Sequence, residues 1–469
     1  MKTVRAASLL ATTLLTACAV GPNYQEPVLA LAPYHQAAVA IAAEDSRWWK
    51  RFTDPVLDRL VEQALAQNLD IAAASARIDQ AREAARAAGA ALLPTIDLAS
   101  SAERNRQSLD TPFGAASHQL GFSRNYALYQ LGGQASWEID LFGGLRRGRE
   151  AAQADLASTL ANADAVRLSI AAETADAYLQ LRGLQARLQV AENQLDTERK
   201  LVALVRLQNS QGLVADRDLN RSLGEQQDVE ASLPSLRAVI QGQINRLDVL
   251  TGRQAGTGTT ALSSIADVPV APDPSGSVEP AELMRRRPDL VAAERQVAAA
   301  NARIGIAVSD YYPHISLSGL LGTAAVGGTT LFAGGALQAT GAGTLRWRLF
   351  DFGKVDAKVA EAKGREAEAL AQYRSVVLKA TEDVETALTQ LAEGRREIAL
   401  REQEVASLSL SRDQARQGYA GGVLTLVDVL DADRALLAAS DRLASARANT
   451  ARASVAAIRA LGGGWQTRS

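Results

Sequence analysis

Apolar positions step by three and four along two long stretches of this chain. One series is Leu370, Tyr373, Val377, Ala380, Val384, Ala387, Leu391, Gly394 and Ile398. The other is Leu160, Ala163, Arg167, Ile170, Thr174, Ala177, Leu181, Leu184 and Leu188. A heptad sustained this far predicts long helices joined by coiled-coil contacts. Arg167 interrupts the second series, with Val166 beside it as a substitute. Elsewhere the period falls to two. Ile96 and Leu98 alternate with polar neighbours, as do Trp137, Ile139 and Leu141, and Leu345, Trp347 and Leu349. Alternation with aromatics suits a barrel wall that faces lipid on one side.

These patterns occur twice. The stretch LDIAAASARIDQAREAARAAGAALLPTIDL, from Leu69, matches PDLVAAERQVAAANARIGIAVSDYYPHISL, from Pro288, at an offset of 219. Farther on, Trp137 matches Trp347, Phe142 matches Phe352 and Gly143 matches Gly353, at an offset of 210 that still holds at Gly212 and Gly422, Asp218 and Asp428, and Gly252 and Gly462. The first copy therefore has the longer loop between Pro94 and Trp137. The first repeat is expected over 54–252, with helices 54–91, 144–209 and 215–250 and strands 95–106 and 130–142. The second is expected over 280–462, with helices 280–310, 354–419 and 423–461 and strands 314–323 and 341–352. A linker rich in Pro, Gly and Ser, 253–279, joins them, and 463–469 is a tail.

Element lengths suggest an assembly. At about 1.5 Å per residue, helix 144–209 spans roughly 100 Å, while 215–250 and 54–91 span roughly 54 and 57 Å. Two shorter helices stacked end to end thus match one long helix, with the linker at mid-height. The fold class expected is mixed α and β. Four strands per chain cannot close a barrel, for which about eight is the practical minimum. Three chains related by a cyclic axis would supply twelve strands.

The N-terminus adds an address. Lys2 and Arg5 precede a short apolar run and Leu15-Thr16-Ala17-Cys18. This is the pattern of a secretory signal, 1–17, too short to span a bilayer. The remaining chain carries 48 basic against 52 acidic residues, a net −4. That balance gives no electrostatic case for nucleic acid. Aromatics are only 4% of the chain, which suits helices packed through small side chains more than one thick core. No later run is long and apolar enough for a membrane helix, so any crossing must be by closed strands.

The pieces CAVGPNYQEP, RWWKRFTDPVLDRLVEQALAQNLDIAAASARI, SWEIDLFGG, QGLVADRDL, RRRPDLVAAERQVAAANARIGIA, VDVLDA and LGGGW occur in order from Cys18 to Trp465. In them the chain resembles the TolC-like outer-membrane efflux proteins, in particular the lipoprotein, or NodT-type, branch. The resemblance implies a homotrimer, with a twelve-stranded outer-membrane barrel continued by a long helical periplasmic barrel. It implies a passive exit duct for drugs or other small toxic compounds, docked to a periplasmic adaptor and an inner-membrane pump of the RND type. It makes Cys18 the lipid-bearing first residue of the mature chain, with diacylglyceryl and N-acyl groups, followed by an extended segment to 53. Ala19 after it points to the outer membrane.

The stretch GGVLTLVDVLDADR, residues 421–434, carries the acids of interest. Gly212, Gly421 and Gly422 follow the long helices and mark hairpin tips. The resemblance makes these tips the surface an adaptor grips. Asp428 and Asp431 lie three apart on one helical face. Acids in a helix's first turns complement its dipole, and that reading stays open. The resemblance instead matches the two residues to the family's constriction aspartates, rings of three in a trimer. It also matches Tyr419 and Asp218 to a contact holding the tip closed, while Leu424 stands where some members carry a basic residue. Asp433 is turned away and expected in solvent. Arg221 stands opposite Asp431 in the repeat, so only the second copy carries the full acid pair.

His35, His118 and His314 share no ligand spacing, and no Ser-His-Asp set, phosphate loop or CxxC is present. No cofactor, metal or enzymatic activity is expected. Two alternatives to drug efflux remain: the exit duct of a type I protein-secretion system, and a lipid-anchored periplasmic coiled-coil scaffold without a pore.

Overall fold

The computed structural model describes residues 19–28, 32, 34, 47–258, 262–270, 272 and 286–463. The signal segment, Cys18, part of the linker and Trp465 lie outside the described residues. After a 3₁₀ turn, Trp48–Phe52, come α1 (Pro55–Gln67), α2 (Leu69–Ala90), β1 (Thr95–Arg106), α3 (Pro112–Gln119), β2 (Asn125–Ile139), α4 (Gly144–Ser210), α5 (Asp216–Leu250), α6 (Pro288–Ser309), β3 (His314–Ala325), β4 (Leu337–Arg346), α7 (Lys354–Ala420) and α8 (Leu426–Ala460).

The repeat stands, with local corrections. Helix 54–91 is two helices, because Asn68 is extended at ψ 134 and its Oδ1 caps α2 by accepting from Asp70 N at 2.8 Å. Within 280–310, Arg286 is helical, Arg287 is not, and α6 starts at Pro288, a residue that disfavours a helical Arg287 and suits a first helical position itself; 280–285 lie outside the described residues. Strand 130–142 is shifted to Asn125–Ile139, since Asp140 serves as a cap for α4, its carboxylate accepting from Leu145 N and Arg146 N. Strand 341–352 likewise ends at Arg346; Asp351 accepts from Gly353 N and Val355 N at the start of α7. Helix 423–461 begins at Leu426, because Thr425 caps it. The segment expected to be extended to 53 instead closes in the 3₁₀ turn, with Trp48, Trp49 and Phe52 buried.

Two compact units divide the chain. One comprises Asp79–Ser158, Glu294–Gln372 and the described N-terminal residues to Pro27. It holds one antiparallel sheet of order β1-β2-β3-β4. Thr95 faces Ser136 in the first hairpin and His314 faces Arg346 in the second, the same register once the offsets 219 and 210 are applied. Strand alternation puts Ile96, Leu98, Trp137, Ile139, Ile315, Leu317, Leu321 and Leu345 on one face. Asp97, Gln134, Ser136, Glu138, Ser316 and Ser318 occupy the other. The apolar face is uncovered: Ile96, Leu98, Leu321 and Leu345 are all exposed. Each repeat hangs its tryptophan alike. Trp137 Nε1 donates to Leu92 O at 2.9 Å and Trp347 Nε1 to Tyr311 O at 3.0 Å.

The N-terminal arm crosses this unit. Buried Arg147 donates to Val20 O, Gly21 O and Asn23 Oδ1. Val20 N donates to Phe142 O at 3.0 Å. Gly143 leaves room for Ala19, which a Cβ there would approach to 2.7 Å.

The second unit comprises Val28–Ile78, Thr159–Ala293 and the chain from Tyr373 onward. Its core follows the heptads. Tyr373, Val377, Ala380, Val384, Ala387 and Leu391 are buried, as are Ala163, Ile170, Thr174, Ala177, Leu181, Leu184 and Leu188, whereas Leu160 at the head of its series is exposed. Arg167 is exposed and Val166 packs in its place. Around Tyr178, α4 is buried beyond its heptad face by Trp48, Leu57, Val61 and Leu262. Three polar side chains there are paired, as burial favours, while Trp49 Nε1 of the same core is enclosed without a hydrogen bond. Tyr178 OH donates to Asp54 Oδ2 at 2.6 Å, Arg182 Nε donates to Tyr178 OH at 2.9 Å, and Gln185 Nε2 donates to Leu262 O at 2.7 Å. The repeats also tie their helix ends alike. Asn68 Nδ2 donates to Leu250 O, and Arg287 Nη1 donates to Ala460 O; both pairs are related by the two offsets.

Small residues let α4 and α8 approach closely. A Cβ on Gly183 of α4 would lie 2.3 Å from Ala448 Cβ of α8. Gly183→Ala is expected to lower stability by about 1–3 kcal/mol through overpacking. Thermal unfolding should show a lower midpoint for the single variant and recovery when Ala448→Gly is added.

Candidate functional site

Both hairpin tips close by the same backbone device. Gly212 has φ 74 and Gly422 has φ 72, the left-handed region that suits glycine after a helix. Leu213 N donates to Gln208 O at 2.9 Å and Val423 N to Gly418 O at 2.8 Å, residues again 210 apart. Gly421 N continues the helical ladder to Gln417 O. Leu424 lies on Gly418, where an added Cβ would come within 2.7 Å of Leu424 Cδ1. Below the turns Leu201, Val205, Ala415, Leu426, Val429 and Leu430 form a small buried core, with Leu219 and Tyr419 against it.

Asp428 and Thr425 form a capping box. Asp428 Oδ2 accepts from Thr425 N at 2.7 Å and from Thr425 Oγ1 at 2.6 Å, while Asp428 N donates to Thr425 Oγ1. These bonds from Thr425 hold the Asp428 carboxyl below the ordinary aspartate range. Its contribution to the cap is therefore retained at neutral pH and lost only as pH falls through that lowered value. Asp431 is exposed on the same face. Its carboxylate lies 4.0 Å from Arg221 Nη2 and 3.7 Å from Arg434 Nη1. The repeat counterpart of Asp431 is thus its electrostatic neighbour.

Asp218 lies 3.4 Å from Arg217. Tyr419 OH donates to Gln208 Oε1 at 2.7 Å rather than to Asp218. Asp218 is nonetheless felt there: the Tyr419 hydroxyl is raised above its ordinary range by burial first and by the Asp218 charge second.

Asp433 is a correction. It is fully buried, and Arg416 Nη2 donates to its Oδ2 at 2.8 Å. It does turn away from Asp428 and Asp431, but that direction is inward, since it follows Val429 by four residues and Leu430 by three. Its place on the buried stripe was readable from that spacing. Nearby, Gln194 Nε2 donates to buried Glu198 at 2.6 Å. Arg434 also pairs with Glu225 of α5. Arg416, Glu198, Arg434 and Glu225 carried no motif and were missed in the sequence.

Of the histidines, His314 Nδ1 lies 2.8 Å from Glu138 Oε1; His35 and the side chain of His118 lie outside the described residues. Among the described residues no His, Cys, Asp or Glu grouping suits a metal, and no helix is long and apolar enough to cross a membrane.

Known proteins share this architecture. The family model described as "Outer membrane efflux protein" matches residues 60–253 and 280–463. The pyoverdine export outer membrane protein OpmQ of Pseudomonas putida is 34% identical, over 92% of this chain and 91% of its own. Nodulation protein T of Rhizobium leguminosarum bv. trifolii is 31% identical, over 96% of each chain. The solved outer-membrane channel OprN superposes with a TM-score of 0.86 at 32% identity, covering 96% of this chain and all of that one.

The buried ion pair at the tip gives a direct test. Arg416→Met leaves Asp433 uncompensated and is expected to cost about 1–3 kcal/mol locally. Amide hydrogen exchange should show reduced protection across 426–440.

Proposed function

Because the chain belongs to the outer membrane efflux protein family, we propose how it serves as an outer-membrane efflux channel: three copies form one passive duct, gated at the hairpin tips. The observation that carries this reading is the open sheet. It has an apolar and a polar face, and β1 and β4 are left as edges. Backbone groups cannot stay unpaired in lipid, so the edges must be closed. Pairing β4 with β1 of the next copy gives a twelve-stranded barrel.

The repeat supplies the register of that seam. Trp137 faces Leu317 within the chain; applying both offsets sets Trp347 opposite Leu98 of the neighbour, and Thr344 opposite Ser101. Phe142 stacks on Tyr312 at 4.6 Å, whereas its counterpart Phe352 is fully exposed at φ 55. Leu93, the counterpart of Tyr312, is also exposed, and the two complete each other across the seam.

At the tip, Asp428 and its repeat counterpart Asp218 make an acidic level. Asp431 alternates above it with Arg221. Around a three-fold axis these carboxylates repel one another and attract cations. Arg221 tempers the Asp431 level and, with the Arg434–Glu225 pair, ties the two hairpins of one chain where Leu424 offers no charge. A periplasmic adaptor gripping the turns at Gly212, Gly421 and Gly422 is the opener, and an inner-membrane pump of the RND type supplies energy and selectivity. The cargo is drugs or other small toxic compounds; relatives named as solvent and toluene efflux pump proteins favour this over a secreted polypeptide. No step requires catalysis or a cofactor. Cys18 carries the lipid. The support is that Ala19 lies against Gly143, between β2 and α4, where a strand leaving the bilayer meets its helix.

Three outcomes are expected. Asp428→Ala combined with Asp431→Ala raises conductance in planar bilayers and weakens cation block; unchanged conductance and block would sink the gate. Ser101→Cys combined with Thr344→Cys yields reduction-sensitive trimers on denaturing gels, and each single variant yields none. Mass spectrometry of the mature chain finds diacylglyceryl and acyl groups on Cys18, which an unmodified N-terminus would refute.

A further inference from the structure

The tip holds more buried charge than its fold uses. Glu198 of α4 is buried and Asp433 of α8 is fully so. Each keeps one carboxylate oxygen, Glu198 Oε2 and Asp433 Oδ1, enclosed and without a protein hydrogen bond. One guanidinium, Arg416 of α7, faces them, and its Nη2 is committed to Asp433. From α4 itself Gln194 donates to Glu198. From α5 Glu225 faces the group, and Arg434 of α8 offsets its charge. Among the described residues, four helices therefore enclose two carboxylates and one available cation, an excess of one negative charge in a place where an uncompensated charge is costly.

We infer that Glu198 is a proton-linked strut of the closed tip: it holds a proton while the four helices enclose it and releases that proton to solvent as they part. The inference rests on the reading that the tip is the gate, and it adds the regulation of that gate. Burial first and the Asp433 charge second raise the Glu198 carboxyl above the ordinary glutamate range; Gln194 and Arg416 oppose this and do not cancel it. The sign follows. A carboxyl raised in the closed form stabilises that form fully below the ordinary glutamate range, and the stabilisation fades as pH climbs through the raised value. Acid therefore holds the tip shut and rising pH loosens it. Asp428, held low by its cap, titrates below this window.

The test uses the full trimer in lipid nanodiscs and planar bilayers. Protection factors for 194–216 and 415–434, corrected for intrinsic exchange, should fall as pH rises through the window. The open-to-closed ratio from conductance should rise up to about tenfold per pH unit for each proton released. Glu198→Gln keeps the shape and the hydrogen bond from Gln194, and should flatten both profiles at the protected, low-conductance level. Asp433→Asn should move the window to lower pH. A Glu198→Gln protein whose protection still follows the wild-type pH profile overturns the inference. If protection responds as expected and conductance does not, the proton linkage stands and the gate reading fails.

Discussion

Everything in this chain follows from backbone hydrogen bonds that one copy cannot complete. The outer edges of β1 and β4 present rows of donors and acceptors with no partner in their own sheet. In water such an edge invites indiscriminate pairing; in a bilayer it is untenable. An apolar face that includes Ile96, Leu98, Leu317 and Leu345 makes the bilayer the natural place for the sheet. Under the proposed assembly one requirement fixes copy number, seam and pore together.

Duplication makes that closure inexpensive in sequence. Both hairpins share a register, both tryptophans reach the carbonyl at the matching helix end, and both helix termini near Leu250 and Ala460 are tied by a side chain from the opposite offset position. Under the proposed assembly, contacts inside a chain prescribe contacts between chains. Where the copies diverge, the proposed gate and seam fall. Asp431 keeps its carboxylate while Arg221 supplies its neighbour. Phe142 finds Tyr312 within the chain, and Phe352 is left bare.

Much of this was legible in the sequence because it rests on periodicity. Heptads named one buried stripe of α4 and of α7, even the substitution of Val166 for Arg167, though Leu160 is exposed, and alternation sorted the sheet faces. Punctuation was harder to read. The break at Asn68 and the caps at Asp140, Asp351 and Thr425 depend on side-chain bonds that local pattern does not encode, and the 3₁₀ turn at Trp48 on the burial of Trp48, Trp49 and Phe52. The site was half visible. Acids three apart stood out, but Asp433 was assigned to solvent because a charge in a helix usually is; its burial depends on Arg416, 17 residues back across a turn. Glu198, on another helix entirely, announced nothing.

Cryo-electron microscopy of the full-length chain in a lipid bilayer tests the central claim most directly. The account predicts three copies around one axis, with β4 paired to β1 of the next copy, Trp347 opposite Leu98, and the carboxylates of Asp428 and Asp431 lining the narrowest part of the lumen. A different copy number, a shifted seam, or acids facing away from the axis would contradict it.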